Sequence, residues 1–183
     1  MPDRVQAPAA TKGSPFRRTA AAIAVAIAAL ALATVWFVYL YYPARIGAAQ
    51  PIPFSHRVHA GDKGISCFLC HADAASSPRA GVPPLQTCML CHERIIITHP
   101  EIRNLREHFY RGDPVEWVRV YTLPEFVYFN HEAHIRRQVD CGRCHGDVRS
   151  MDRIIPAHEI NMGFCVQCHR DNGVSHDCLM CHR

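Results

Sequence analysis

The chain has 183 residues, 20 Lys and Arg against 16 Asp and Glu, and 49% apolar residues, with the apolar residues crowded toward the N-terminus. The rest of the chain is poor in core material, so one domain plus an anchor is the natural organisation. A formal charge of +4 without a basic tract argues against nucleic acid as a partner.

Residues 20–42 are 23 residues without a charge, about 35 Å long as a helix and enough to cross the hydrocarbon layer. Trp36, Phe37, Tyr39, Tyr41 and Tyr42 close the run, where a secretory leader would carry small residues for cleavage, so an uncleaved anchor is expected. Lys12, Arg17 and Arg18 precede it and only Arg45 lies close behind. The positive-inside rule therefore puts residues 1–19 in the cytoplasm and residues 43–183 on the periplasmic, outer face of the inner membrane.

Residues 43–183 hold all ten cysteines, in five pairs of one form: Cys67 and Cys70 before His71, Cys88 and Cys91 before His92, Cys141 and Cys144 before His145, Cys165 and Cys168 before His169, and Cys178 and Cys181 before His182. Cys-x-x-Cys alone also fits zinc knuckles, iron-sulfur clusters and thiol redox pairs. None of these requires histidine at one fixed offset five times. Covalent haem attachment does: two thiols three positions apart add to the two vinyl groups of one porphyrin, and the adjacent imidazole lies under the iron. Five covalently bound haem c are expected, with His71, His92, His145, His169 and His182 as proximal ligands. Such haems are assembled on the outer face of the membrane, in agreement with the charge rule. Their propionates would bring the net charge to about −6.

A repeat supplies sixth ligands. Phe54-Ser55-His56-x-x-His59 stands seven residues before Cys67, and Phe129-Asn130-His131-x-x-His134 six residues before Cys141. Histidines at i and i+3 share a helical face and can point two imidazoles at two neighbouring irons, while Ser55 or Asn130 caps the turn. His56, His59, His131 and His134 are the distal candidates. The repeat defines modules over about 50–92 and 125–169, with the fifth motif, 178–182, appended. The fifth iron has no such partner. Met151, Met162, His158, His176, His99 and His108 contend for it, and the two methionines, which lie near the fourth motif, are preferred; a thioether would raise that haem's potential.

Between the modules, 100–110 reads as a short helix with Ile102, Leu105 and Phe109 on one side. The apolar, partly alternating run 115–124 reads as packing on a haem edge or as a docking strand for a partner. The fold class expected is a multihaem cytochrome c, mostly irregular, with short α-helices packed around five haems and one N-terminal transmembrane helix. Frequent Pro and Gly, as in Gly81-Val82-Pro83-Pro84, fit that better than a sheet.

The chain resembles the pentahaem cytochrome subunit of alternative complex III, a bacterial quinol-oxidising complex. The resemblance rests on the anchor, Pro51-Ile52-Pro53-Phe54-Ser55-His56-x-x-His59, Gly81-Val82-Pro83-Pro84, Leu123-Pro124-Glu125-Phe126-Val127-Tyr128-Phe129-Asn130-His131, and Met162-Gly163-Phe164-Cys165, where the family usually has Trp in place of Phe164. The haem-binding part is similar to the class III, tetrahaem c3-type group, in which paired histidines ahead of a motif are distal ligands. The resemblance implies an electron-transfer subunit that is no enzyme by itself. It implies quinol oxidation elsewhere in the complex, electrons arriving from iron-sulfur centres of a partner subunit, and delivery to a monohaem cytochrome or a soluble carrier. The rival readings are a quinol dehydrogenase feeding a periplasmic reductase, and a multihaem reductase with one open iron. The absence of a Cys-x-x-Cys-Lys variant counts against the nitrite-reductase type of the latter.

Overall fold

The computed structural model describes residues 15–42 and 46–182. Of the expected cytoplasmic segment, residues 1–14 with Lys12 lie outside the described residues, as does Arg45. The chain divides into two compact units, one ending at residue 44 and one beginning at 45.

The first unit is helix α1 (Pro15–Trp36), built on alanines, the best helix formers. It begins before the uncharged run because Arg17 and Arg18 propagate a helix readily and proline is tolerated in a first turn. It continues into a wider turn, Phe37–Tyr41, in which the Tyr42 N–H reaches back five residues to the Phe37 carbonyl. Thr34 satisfies its hydroxyl on the Leu30 carbonyl at 2.8 Å, which lets a polar side chain sit in an apolar helix. The helical stretch Pro15–Tyr41 is 27 residues long, sufficient in length and composition to cross a membrane.

The second unit is a series of short helices joined by turns. They are a wide turn Arg57–Asp62, α2 (Cys67–Cys70), a 3₁₀ turn Ala72–Ala75, α3 (Leu85–His92), α4 (Pro100–Arg111), α5 (His131–Arg136), α6 (Gly142–His145), a 3₁₀ turn Val148–Ser150, α7 (Met162–Asp171) and α8 (Cys178–Cys181). Among the described residues there is no strand, only an isolated bridge between Val127 and His182. The run 115–124 is therefore not a strand. Its Val118 is held instead by Gln50, whose amide accepts from the Val118 N–H at 2.9 Å and donates to its carbonyl at 3.0 Å.

Local chemistry sets the helix ends. Ser66, Asn161 and Asp177 cap α2, α7 and α8, each side chain accepting a backbone N–H of the first turn. His99 caps α4, Pro100 opens it, and Gly112 closes it in the left-handed region at φ 72°. The helix read over 100–110 thus extends by one residue, with Leu105 buried. Gly61 sits where an added Cβ would collide with the Arg149 carbonyl, so the wide turn and the segment 148–150 touch backbone to backbone.

The apolar core of the described residues consists of Ile52, Ala74, Met89 and Leu105, exposed by 4–7%. Four side chains, one of them an alanine, are far less than the apolar interior that an ordinary domain of this size buries. Side-chain packing alone does not account for the order of the second unit.

Candidate functional site

Every motif cysteine opens or closes a short helix or lies beside or within one, and all ten thiols are free. Among the described residues no three of His, Cys, Asp and Glu converge on one point.

The histidines form pairs. The ring centres of His59 and His92 are 6.1 Å apart, those of His134 and His169 also 6.1 Å, and those of His131 and His145 6.5 Å. A metal–nitrogen bond of about 2 Å on each side, plus roughly 1 Å from nitrogen to ring centre, puts two imidazoles flanking one metal about 6 Å apart. In each pair a histidine of the repeated turn faces a histidine of a cysteine motif. His56 completes the set. Burial first, and then the charges of His71 and His59, push its pKa down to about 4, which places it against the first motif.

Burial likewise lowers the pKa of His92 and His145, with smaller contributions from His59 on the former and from His131 and His71 on the latter. These imidazoles are neutral at physiological pH, the form that binds iron. Five other imidazoles are oriented by backbone partners. Nδ1 lies 2.8 Å from the Ser55 carbonyl in His59, 2.9 Å from Gly81 in His71, 2.9 Å from Pro78 in His131, 2.7 Å from Asn130 in His134 and 2.8 Å from Ser175 in His169. A carbonyl oxygen only accepts, so each Nδ1 donates its hydrogen and leaves the lone pair on Nε2, the outward nitrogen.

The turns presenting these rings have their own anchors. Asn130 accepts from the Ala133 N–H at 3.2 Å and Ser55 from the Val58 N–H at 3.1 Å, the two caps read from the repeat. Phe54 stacks on His59 at 4.4 Å, and Phe129 on His134 at 4.6 Å. The second motif is fixed by α4: Arg106 donates to the carbonyls of His92 and Glu93, each at 3.1 Å, and the Tyr110 hydroxyl donates to Glu93 at 2.6 Å.

Thiols of different motifs also come together. Burial is the main reason that the thiols of Cys88, Cys141, Cys144 and Cys165 are pushed up, with smaller contributions from thiols of neighbouring motifs: Cys70 on Cys88, Cys67 on Cys141, Cys165 and Cys168 on Cys144, and Cys181 on Cys165.

The fifth motif stands apart. Around His182 the structure places the Phe126 ring at 5.7 Å, the Phe126 carbonyl at 3.3 Å from Nδ1, and the Tyr128 N–H on the Cys181 carbonyl at 2.8 Å. The contenders for its sixth ligand are scattered. Met151 presents its carbonyl to the Arg57 N–H and its methyl toward Gly146, Met162 opens α7 largely exposed, His158 stacks on Phe164, His99 caps α4, His176 is exposed, and His108 sits beside Leu85 and Phe109. The carbonyls of Pro78 and Gly81, which orient two imidazoles from distant loops, escape sequence reasoning because a backbone oxygen carries no residue signature.

Imidazoles paired at about 6 Å beside Cys-x-x-Cys motifs, in a unit with almost no apolar core of its own, define a multihaem c-type cytochrome. No protein-family model matches the chain. It is 32% identical over 162 residues to the multihaem cytochrome c subunit of the menaquinone reductase of Nitratidesulfovibrio vulgaris (strain Hildenborough), covering 73% of this chain and 77% of that one. The chain belongs to this family of multihaem cytochrome c subunits.

Proposed function

We propose that the chain is the membrane-anchored electron-transfer subunit of a quinone-linked complex of the alternative complex III type, holding five covalently bound haem c and performing no substrate chemistry itself. The observation that carries this reading is the spacing of 6.1–6.5 Å between motif and repeat-turn imidazoles: with both axial positions filled by protein, an iron has no place for substrate. In this reading the ten cysteines make the thioether links. His71, His92, His145, His169 and His182 are proximal ligands, and His56, His59, His131 and His134 are distal ones. The bound haems supply one-electron transfer. The chain's own part is to fix imidazoles through backbone carbonyls, keep His56, His92 and His145 neutral by burial, and exclude exogenous ligands.

The helix Pro15–Tyr41 serves as the anchor, with the second unit on the periplasmic face. Electrons arrive from iron-sulfur centres of a partner subunit and leave to a monohaem cytochrome or a soluble carrier. A second reading reverses the flow, toward menaquinone, and is favoured by the name of the relative.

Purified holoprotein tests the first claim: a haem assay should give five per chain, and its spectra should show low-spin iron unaffected by carbon monoxide or nitrite. A colourless or zinc-containing product sinks the reading. Rapid reduction of the native complex by a menaquinol analogue, against rapid reduction by a reduced soluble cytochrome, separates the two directions. Quinol oxidation by the isolated chain would instead favour a self-sufficient quinol dehydrogenase.

A further inference from the structure

We infer that the five attachment motifs stand in space in the order second, first, third, fourth, fifth, so that the second and fifth are the two ends of the array. This order rests on the ligand assignment proposed above. Two of the four junctions come from the repeated turns. His59 faces His92 of the second motif, and His56, one turn before it on the same presenting segment, is assigned above to the first, so these two motifs neighbour each other. His131 and His134 in α5 face the third and fourth motifs in the same way.

The junction between the modules decides which motif lies inside. The loop after the first motif carries α5 directly. The Pro78 carbonyl accepts from the His131 N–H at 3.1 Å and from its Nδ1 at 2.9 Å, while the Ser77 carbonyl accepts from the Glu132 N–H at 3.2 Å. From the other side, the first histidine turn is tied to the segment just after the third motif. The Arg57 N–H donates to the Met151 carbonyl at 2.9 Å, the Ser55 hydroxyl to Asp152 at 2.6 Å, and Arg149 to the Ala60 carbonyl at 2.9 Å. Both sets of bonds bring the first motif toward the third. The second motif is turned the other way, onto α4 through Arg106 and Tyr110.

The last junction joins the fourth and fifth motifs. They are close in sequence, with Ser175 of the connecting loop held on His169, and Cys181 contributes to pushing up the Cys165 thiol.

The array is thus not in chain order: the first motif is internal and the second is terminal. An external donor and an external acceptor must approach the second and the fifth motifs, where one neighbour is lacking.

The order is tested on the holoprotein by redox titration followed by electron paramagnetic resonance. His131→Gly should turn one low-spin haem high-spin and shift the midpoints of two other haems most strongly, those of the first and fourth motifs. His59→Gly should shift only one strongly, that of the first. Two strong shifts from His59→Gly, or a first-motif midpoint that ignores His131→Gly, overturns the order. Five low-spin haems persisting in either variant overturns the ligand assignment instead. Should a variant fail to assemble, iron positions from electron microscopy of the unaltered complex decide it. The first-motif iron is expected to have the second and third as its nearest neighbours, and a second-motif iron nearer to the third than the first is refutes the proposal.

Discussion

The two modules present their histidines almost identically and support them differently. Phe54 meets His56 edge-on at 4.8 Å and His59 face-on at 4.4 Å, and Phe129 does the same to His131 and His134 at 4.7 and 4.6 Å. Yet the first pair rides on a wide turn closed by bonds reaching back five residues, and the second on a regular α-helical turn. Outward nitrogens differ little, whereas Nδ1 partners differ. In the second module the Nδ1 atoms of His131, His134 and His169 each bond a carbonyl, whereas in the first those of His59 and His71 do so but the buried Nδ1 of His56 has no hydrogen-bond partner among the described residues. Ring-to-ring spacing is what both modules preserve, and the hydrogen bonds behind the rings are free to vary and so to tune each site.

Loss of a haem from the middle of the array should separate the modules most strongly. Cys141→Ser with Cys144→Ser should abolish the protease resistance of the whole second unit, because in the proposed order the third motif is the part of the second module that meets the first. Cys88→Ser with Cys91→Ser should leave a resistant fragment containing 125–182. Equal loss in both would mean that the modules fold as equivalents.

A smaller effect distinguishes the sites spectroscopically. The rings of His131 and His145 are nearly parallel, at 6°, whereas those of His59 and His92 cross at 63°. Parallel axial imidazoles give a rhombic low-spin resonance and crossed ones a resonance at large g. His131→Ala should therefore remove a rhombic signal and His59→Ala a large-g one, each replaced by a high-spin signal.

Next come the potentials. A hydrogen bond to Nδ1 makes the imidazole a stronger donor and favours ferric iron. In the proposed assignment, a haem held by His134 and His169, whose Nδ1 atoms both bond carbonyls, should have a lower midpoint than one held by His59 and His92, of which only His59 makes such an Nδ1 bond. A redox titration assigned through the variants above measures the difference.

Cap removal should be milder. Asn130→Ala is expected to cost about 1 kcal/mol in denaturant unfolding of the holoprotein. Ser55→Ala should cost more, since that hydroxyl also donates to Asp152 at 2.6 Å.

The smallest effect depends on pH. The Ser55 hydroxyl, and then Arg57, hold the Asp152 carboxyl below its usual value. The linkage is therefore present above the ordinary carboxylate range, near pH 4, and is lost as pH falls through the lowered folded value. Asp152→Asn should flatten a slight acid-side fall in thermal stability, and the side chain's full exposure keeps the change small.

Much of the site is legible in residues alone. Cys-x-x-Cys-His and Phe-x-His-x-x-His are contiguous, so covalent geometry and one helical turn place their groups whatever the rest of the chain does. The caps Ser55 and Asn130, the helix around 100–110 and the long apolar N-terminal helix are likewise local. The alternating run 115–124 misleads because alternation specifies a strand only when another strand is there to pair with it. Gln50, far away in sequence, takes that role at Val118.

The amino-acid order was thus enough to name the candidate thiols and imidazoles and the turns that present them. It took the folded chain to establish which imidazole faces which, which carbonyls lock the tautomers, and how the first motif comes to lie against the third. Ligand type resides in side chains and survives as a letter. The contacts that order the modules run instead through backbone groups such as the Pro78 and Met151 carbonyls, which every residue possesses and only folding makes specific.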